Sequence, residues 1–425
     1  MDYIVRYFFY IILGLLVLRL PHGTPEIKSV FNYLIVLSFC LSLPDMISNF
    51  PKLKKGGKII YLFMVSLLVY LFIIRYFKGS RVNINSIIRG LLYPISLINL
   101  FMFSLKDDLY GKLKALNIVF IIFIIINTVT IILYPTGWYA STTYTANWFL
   151  GYKNVIIRTL LPALTINGII SYHERGRLSL QFIILYFVSL ITVTFVLSAN
   201  SLIMIVVFGL LVFYRPIVSK FIDHKLSLFF AFFIPSTISV LVVFFNFQEN
   251  FSYFLENYLD RNSTLTSRTY IWEFVLMKIA ASPIFGYGYH SAGEWKEVFE
   301  FFDRFDISHP HNFLLYNFVQ GGLLYFILYT LLLFIISRVI RDRKASGEMF
   351  IILSMYWTFF VGGIAESLTE CPLMFPMLGL IYTIYESKKS KKIHMAIHNY
   401  RIKKNLGQYR IDNKDNRFGN SNRGI

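Results

Sequence analysis

Long apolar runs, separated by short polar segments, dominate the chain from its first residues to about residue 386. A transmembrane helix needs roughly 20 mostly apolar residues, and runs of this length predict about twelve spans. The candidate spans lie near residues 3–20, 27–48, 59–77, 83–104, 115–134, 154–172, 179–198, 200–219, 226–246, 312–337, 347–365 and 370–386. The pattern therefore predicts an all-α fold: a polytopic membrane protein with about 12 transmembrane helices and a long extracytoplasmic loop that contains short helices.

The pattern also divides the chain into four parts. An N-terminal transmembrane bundle of about nine helices covers 1–246, the extracytoplasmic loop covers 247–311, further transmembrane helices cover 312–386, and a basic tail covers 387–425. Only the polar stretch Ser198-Ala199-Asn200-Ser201 separates the seventh span from the eighth. These two spans form either a tight hairpin or one broken element.

Composition supports a membrane protein and argues against nucleic-acid binding. Hydrophobic residues make up 56% of the 425 residues and charged residues only 15%, which is too few to cover the surface of a soluble protein of this length. The net charge of +18 comes from Lys and Arg clusters between apolar runs and in the tail. Such clusters mark cytoplasmic loops, so both termini are predicted in the cytoplasm, although Arg75, Lys78 and Arg81 depart from this bias. Cys40 and Cys371 lie far apart and do not indicate a disulfide framework.

The long loop contains two predicted helices and a glycine turn. Ser267–Ala281 has apolar residues at helical spacing and ends before Pro283. Glu294–Phe305 is amphipathic, and two interpretations stay open for it: a helix lying on the membrane with a solvated acidic face, or a catalytic pair of acids. The turn Gly286-Tyr287-Gly288 lacks the strand–turn–helix context of a nucleotide site.

His311 stands directly before the span that follows the loop, and three roles are open for it. Asn312 can cap the next helix, which would make the segment structural. His309 and His311 could bind a metal ion, although no further ligands complete a shell. Alternatively His311 is a base at the membrane surface, because a histidine accepts protons near neutral pH.

Two arginines earlier in the same loop suit a phosphorylated lipid. A guanidinium binds phosphate oxygens through two parallel hydrogen bonds and keeps its charge. Arg261 and Arg268 are therefore candidates for contact with a lipid-linked phosphate.

These motifs, in their order along the chain, resemble the O-antigen ligase and polymerase superfamily, whose polymerases are of the Wzy type. The resemblance rests on Ser267-Arg268-x-x-x-Trp272, Pro283-x-x-Gly286-x-Gly288, His311-Asn312-x-x-Leu315 and Gly321-Gly322. It covers roughly residues 260–340, with a weaker match at Gly151-Tyr152-Lys153-Asn154.

The resemblance implies a metal-independent, inverting glycosyltransferase without a cofactor, in the bacterial cytoplasmic membrane. Its donor would be a glycan linked to a polyprenyl diphosphate such as undecaprenyl diphosphate, and a chain-length regulator is an implied partner. By the resemblance, His311 activates the acceptor hydroxyl, Arg268 binds the lipid diphosphate, and Arg261 is a second contact. The expected product is a capsular polysaccharide, an exopolysaccharide or an O-antigen.

One position departs from the family pattern. Many relatives carry a Ser-Arg pair at the outer start of a mid-chain span, where this chain has Asn200-Ser201. The departure weakens a ligase-type phosphate site, and Lys153 or Arg158 could supply the missing charge. Glu366, at the outer end of the penultimate span, could contact a sugar or pair locally.

A polymerase of lipid-linked repeat units is favoured over the alternatives. A ligase would use the same chemistry with another acceptor. A flippase or other transporter should place polar residues near the middle of its spans, often on broken helices, whereas polarity here concentrates at one outer face. A structural membrane scaffold is the remaining alternative.

Overall fold

The computed structural model describes residues 25–103, 109–140, 146–245, 268–290, 294–299, 310–340, 346–367, 371 and 373–388. The first predicted span, Arg261 and the tail beyond 388 lie outside the described residues.

The described chain is almost entirely helical. Its helices are α1 Pro25–Asn49, α2 Lys55–Phe77, α3 Ile84–Met102, α4 Leu109–Leu133, α5 Ile157–Arg175, α6 Leu180–Phe195, α7 Ala199–Phe213, α8 Arg215–Ile222, α9 Ser227–Phe245, α10 Arg268–Ala281, α11 Trp295–Phe299, α12 Phe313–Val339, α13 Gly347–Gly362 and α14 377–388. The only strands in the described ranges are β1 Asn147–Trp148 and β2 Gly151–Tyr152, which pair antiparallel.

Each predicted span from 27–48 onward contains a helix, which confirms an all-α membrane protein. Six helices of the described residues are long and apolar enough to cross a membrane, or seven if one bent pair counts as a span. α6 and α13 are apolar but shorter. The predicted number of about twelve spans is therefore not confirmed.

The helices on either side of the polar stretch 198–201 are shorter than predicted: α6 is Leu180–Phe195 and α7 is Ala199–Phe213. The span near 200–219 ends at Phe213, where the axis turns by 98° into α8. α6 and α7 are joined by only three residues and pack against each other, so the tight hairpin is the correct alternative. Leu197 adopts a positive φ of 52° in the connection, which reverses the chain direction.

α13 lies at the centre of the bundle and packs against α5, α7 and α9. All ten residues from 351 to 360 are buried, as expected for a helix surrounded by other helices. α12 packs against α2, α9 and α10 on the neighbouring side. The two helices are joined at one end by a hydrogen bond from the Phe313 amide to the Gly363 carbonyl (2.8 Å).

We call this end of the bundle the site end, defined by the end of α13 and the starts of α5, α7 and α12. The opposite end carries a series of ion pairs that join helix ends. They are Lys54–Glu386 (2.5 Å), Lys112–Asp45 (3.7 Å), Lys114–Glu174 (2.6 Å) and Lys388–Glu348 (2.5 Å).

The amphipathic segment predicted at Glu294–Phe305 differs from expectation. Its described part is α11, whose Trp295, Val298 and Phe299 are buried in a small core with α10 and the start of α12 instead of facing lipid. The side chain of Glu294 is only 12% exposed, so it is not part of a solvated acidic face. The prediction placed this apolar face against the membrane, whereas the structure packs it against α10 and the start of α12.

Candidate functional site

Three of the predicted site residues meet at the site end. The Nδ1 atom of His311 lies 3.2 Å from Oε1 and 3.4 Å from Oε2 of Glu366. Arg268 approaches the same carboxylate, with Nη2 3.6 Å from Oε2, and its Nη1 donates to the Ala365 carbonyl. Glu366 is thus a carboxylate that contacts both a histidine and an arginine.

The three side chains differ in their access to solvent. That of Glu366 is 2% exposed, whereas those of His311 and Arg268 are 25% and 18% exposed. A buried carboxylate is costly unless it is paired and hydrogen-bonded, and here a guanidinium provides the pairing. The imidazole and the guanidinium therefore line the accessible side of the cluster, with the acid behind them.

The start of α12 fixes His311 in place. The Asn312 side chain caps the helix by accepting a hydrogen bond from the Leu315 amide (3.0 Å). Its amide group also donates to the Ile364 carbonyl (2.8 Å), which ties the cap to the segment carrying Glu366. His311 itself has a positive φ of 50°, an uncommon conformation that costs energy for a residue with a Cβ.

The spacing of Arg268 and Trp272 has a direct structural explanation. Residues four apart lie on the same face of a helix, so both side chains of α10 point toward the start of α12. The Trp272 indole is buried and donates to the Pro310 carbonyl (3.0 Å), next to His311. One turn earlier, Arg268 reaches Glu366. The tryptophan thus sets the distance between α10 and the histidine.

The glycine motifs form a second structural unit in which a loop enters a broken helix. α12 is interrupted at Gly322, whose φ of 63° and ψ of −166° are not helical. At the break, two amides and two carbonyls of α12 pair with the segment 283–288 instead of with each other. The replacements run from the amides of Leu323 to Pro283 O (2.8 Å), Leu324 to Ile284 O (3.1 Å), Tyr287 to Val319 O (2.8 Å) and Gly288 to Gln320 O (2.7 Å).

Glycine is required in this unit because the two backbones are in contact. A Cβ built on Gly322 would lie 2.3 Å from the carbonyl of Ile284, and one on Gly286 would lie 2.6 Å from the carbonyl of Val319. Buried irregular backbone is tolerated at membrane depth only when its polar groups are paired, which this exchange achieves. Both glycine motifs are therefore explained by packing, and no ligand is needed to account for them.

The predicted second cations lie at the same end, on the side of α5 and α7. The Lys153 carbonyl accepts from the Ser201 hydroxyl (3.5 Å), and Ser198 donates to the Asn154 side chain (3.0 Å). Lys153 thus adjoins Ser201, at the position where the sequence departs from the pattern of the resemblance. Arg158 lies in the first turn of α5, where its carbonyl accepts from Cys371 (3.5 Å).

α7 connects these cations to the centre of the bundle. A Cβ on Gly362 would lie 2.4 Å from Met204, so the first turns of α7 pack directly on the end of α13.

Both cysteines are free thiols. Within the described ranges, no group of three or more His, Cys, Asp or Glu side chains is arranged to hold a metal ion.

Sequence reasoning missed a buried ion pair between Arg75 and Glu294. The Arg75 Nη1 atom lies 2.9 Å from Oε2 of Glu294, and the Arg75 side chain is 1% exposed. A signal for this pair was present, because Arg75 departs from the charge bias of the loops. Nearby, burial and the positive charge of Arg75 lower the pKa of His290 to about 4.

Comparison with known proteins finds a family model that matches part of the chain. Residues 184–330 match the family model described as O-antigen ligase. The match includes Arg268, His311 and both glycine motifs, and it ends before Glu366. No curated protein and no solved structure matches the chain. The match of residues 184–330 supports the O-antigen ligase and polymerase superfamily, in agreement with the resemblance of the motifs.

Proposed function

We propose that the protein polymerises lipid-linked oligosaccharide repeat units on the outer face of the bacterial cytoplasmic membrane. The superfamily supports a glycosyltransferase-like activity on a lipid-linked glycan. The finer assignment is a polymerase that joins repeat units carried on polyprenyl diphosphate into a capsular polysaccharide, an exopolysaccharide or an O-antigen chain. A chain-length regulator as its partner remains a prediction of the family resemblance.

The observation that carries this proposal is the contact between His311 and Glu366. A carboxylate that accepts a hydrogen bond from Nδ1 holds the imidazole in the tautomer whose Nε2 is a proton acceptor. The same carboxylate stabilises the imidazolium that forms when the proton arrives. His311 is therefore equipped to act as a general base toward an acceptor hydroxyl.

The reaction needs one bond to form and one to break. Nε2 of His311 takes the proton of an acceptor hydroxyl while that oxygen attacks the anomeric carbon of the donor glycan. The bond from the anomeric carbon to the diphosphate oxygen breaks, and the polyprenyl diphosphate leaves with the electron pair. Attack opposite the leaving group inverts the anomeric centre. The diphosphate ester supplies the driving force, so no nucleotide is consumed outside the cell.

Arg268 is proposed to neutralise the charge that develops on the departing diphosphate. A guanidinium has five N–H donors in a planar fork, so it can contact Glu366 and phosphate oxygens together. Charge stabilisation of this kind is strong where water is restricted, as beside the buried Glu366. Lys153 and Arg158 are proposed as additional cations for the diphosphate, and Arg261 as a further contact.

Asn200-Ser201 favours a polymerase over a ligase. A ligase-type phosphate site uses an arginine at this position, and this chain has none there. The backbone carbonyl of Lys153 accepts a hydrogen bond from Ser201, so Lys153 adjoins this position and is proposed to supply a different, flexible cation there. The description of the matched family keeps the ligase as the second candidate.

The distribution of charge supports the proposed orientation. Lys54, Lys112, Lys114 and Lys388 gather at the end opposite the site. Lysines concentrate on the cytoplasmic side of membrane proteins, so the site end is proposed to face outward and both termini inward.

Complementation of a deletion strain tests the proposal. His311→Ala should abolish long polymer and leave single lipid-linked repeats, because loss of a general base costs about 10²–10⁴-fold in rate. The matched control is His224→Ala, at an exposed histidine near the start of α9. Surface polymer is scored on a gel, and protein in the membrane is quantified in parallel.

Other outcomes identify other functions. Full-length polymer with His311→Ala would remove the histidine from catalysis. If the complete deletion accumulates long chains on the lipid carrier that fail to reach their final acceptor, the protein is a ligase. If repeat units stay on the cytoplasmic side, it is a transporter.

A further inference from the structure

A buried ion pair away from the proposed catalytic cluster connects two parts of the chain that are 219 residues apart. Arg75, near the end of α2, binds the Glu294 carboxylate through both terminal nitrogens, with Nη1–Oε2 and Nη2–Oε1 distances of 2.9 and 3.0 Å. This two-point geometry is the most directional form of an arginine–carboxylate contact.

The pair is the centre of a larger polar cluster. Oε1 of Glu294 also accepts hydrogen bonds from the side chains of Asn83 (2.7 Å) and Ser86 (2.6 Å) at the start of α3. Arg75 in turn donates to the carbonyls of Tyr289 (2.9 Å) and Arg81 (2.7 Å). The cluster thus joins the segment that contains residues 289 and 294 to the ends of both α2 and α3.

The same segment inserts into the break of α12. Tyr287 and Gly288 bind the carbonyls of Val319 and Gln320, as described above. The part of α12 before the break begins at Phe313, two residues after His311, and spans only about two helical turns. Whatever fixes the inserted segment therefore fixes the short helix that begins beside the histidine.

Two further contacts carry this constraint toward His311. The Tyr289 amide donates to the Leu71 carbonyl of α2 (3.1 Å), one turn from Arg75. Trp295, next to Glu294, packs edge-on against Tyr316 in the first turn of the short helix, with ring centroids 5.4 Å apart. Trp295 consequently contacts the first turn of the short helix that follows His311, and Tyr287 and Gly288 contact its last turn.

Stability alone gives no reason for an ion pair at this place. Replacing a buried ion pair by apolar side chains of similar size is often neutral or stabilising, because both charges no longer lose their hydration. Hydrogen bonds differ from apolar contacts in that they fix distance and direction. The expected contribution of the pair is therefore geometric.

We propose that Arg75 and Glu294 are positioning residues that hold the short helix of α12, and with it His311, in register with Glu366. This inference rests on the proposed function, because it assigns the pair a role in the reaction at His311. Neither side chain is proposed to touch the substrate.

Reconstituted protein distinguishes positioning from stability. The substrate is the lipid-linked repeat unit extracted from the deletion strain, and the variants are Arg75→Met, Glu294→Met and the double variant. Each single variant should lose thermal stability in detergent, because it leaves one buried charge without its partner. The double variant should regain stability but keep a saturating turnover at least about tenfold below wild type, since small displacements of catalytic groups cost up to about 10²-fold. The half-saturating substrate concentration should stay within a factor of about three, because binding residues are untouched.

Arg177→Met and Glu273→Met are the matched controls, because both side chains are exposed and neither residue belongs to the cluster. The inference is overturned if the double variant regains both stability and turnover, since the pair would then serve stability alone. It is also overturned if the half-saturating concentration rises while the turnover is kept. Failure of the proposed function appears separately, as wild-type turnover by His311→Ala.

Discussion

The imidazole of His311 lies 3.2 Å from the carboxylate of Glu366, although the two residues are 55 positions apart in the sequence. His311 lies just before the start of α12, and Glu366 lies just after the end of α13. The acid is buried, and the histidine is partly accessible. In this arrangement Nδ1 of the ring is directed toward Glu366, which leaves Nε2 for a bound substrate. A histidine held in this way needs the carboxylate to select its tautomer, which leads to the first prediction.

Glu366→Gln should reduce polymerisation by about 10²–10⁴-fold, the range expected when a general base is disabled. The amide can donate to Nδ1 and so favour the wrong tautomer, and it no longer stabilises the imidazolium. Turnover in reconstituted membranes with lipid-linked repeat units measures the effect. Glu273→Gln, at an exposed acid of α10, is the matched control. Wild-type turnover by Glu366→Gln would show that Glu366 has no part in the reaction.

Gly322→Ala should destabilise the protein more than Gly176→Ala. Both glycines have positive φ angles, 63° and 67°, but a Cβ at Gly176 meets no atom within 4 Å, whereas at Gly322 it would meet Ile284 at 2.3 Å. The ψ of −166° also places Gly322 in a region that only glycine adopts readily. Overpacking typically costs about 1–3 kcal/mol beyond the backbone term. Thermal unfolding in detergent compares the two variants, and equal losses would contradict the insertion of segment 283–288 into α12.

The membrane helices were predictable from the sequence because one physical signal, a sustained apolar run, dominates each of them. The break at Gly322 was not, because two adjacent glycines in an apolar run are compatible with a continuous helix as well as a broken one. Its existence depends on a partner loop that supplies four hydrogen bonds. Likewise, Trp295 and Phe299 read as a membrane-facing stripe because the sequence does not show that Trp272 and Tyr316 cover them.

The candidate site was predictable in part for a related reason. Arg268 and His311 were found through motifs that the family resemblance made meaningful, and Asn312 through the chemistry of helix capping. The contact of both residues with Glu366 depends on how α13 lies beside α12, which spacing along the chain cannot reveal. Arg75 was visible as an exception to the charge bias, but its partner could not be named without the fold.

Lys153→Met should weaken donor binding more than it slows the chemical step. If Lys153 contacts the diphosphate, loss of one charge-assisted hydrogen bond of about 1.5 kcal/mol raises the half-saturating donor concentration roughly tenfold. Arg158→Met is expected to act in the same direction. Lys220→Met, at an exposed lysine of α8, is the matched control. An unchanged half-saturating concentration in both site variants would assign the diphosphate to Arg268 and other groups.

The stability of the protein should fall on acidification because of His290, which is buried between Gly288 and Trp295. Its pKa in the folded protein is lowered to about 4 by burial and by Arg75. The unfolded chain, with an ordinary histidine pKa near 6.5, binds more protons between these values. Stability is therefore fully present above about pH 6.5 and declines by up to about 3 kcal/mol as the pH falls to about 4.

His290→Asn retains a donor for the Gly288 carbonyl and should remove this part of the pH dependence. The melting temperature in detergent between pH 7 and pH 4.5 measures the effect, with His224→Asn as the matched variant. A wild-type pH profile in His290→Asn would mean that other groups cause the loss.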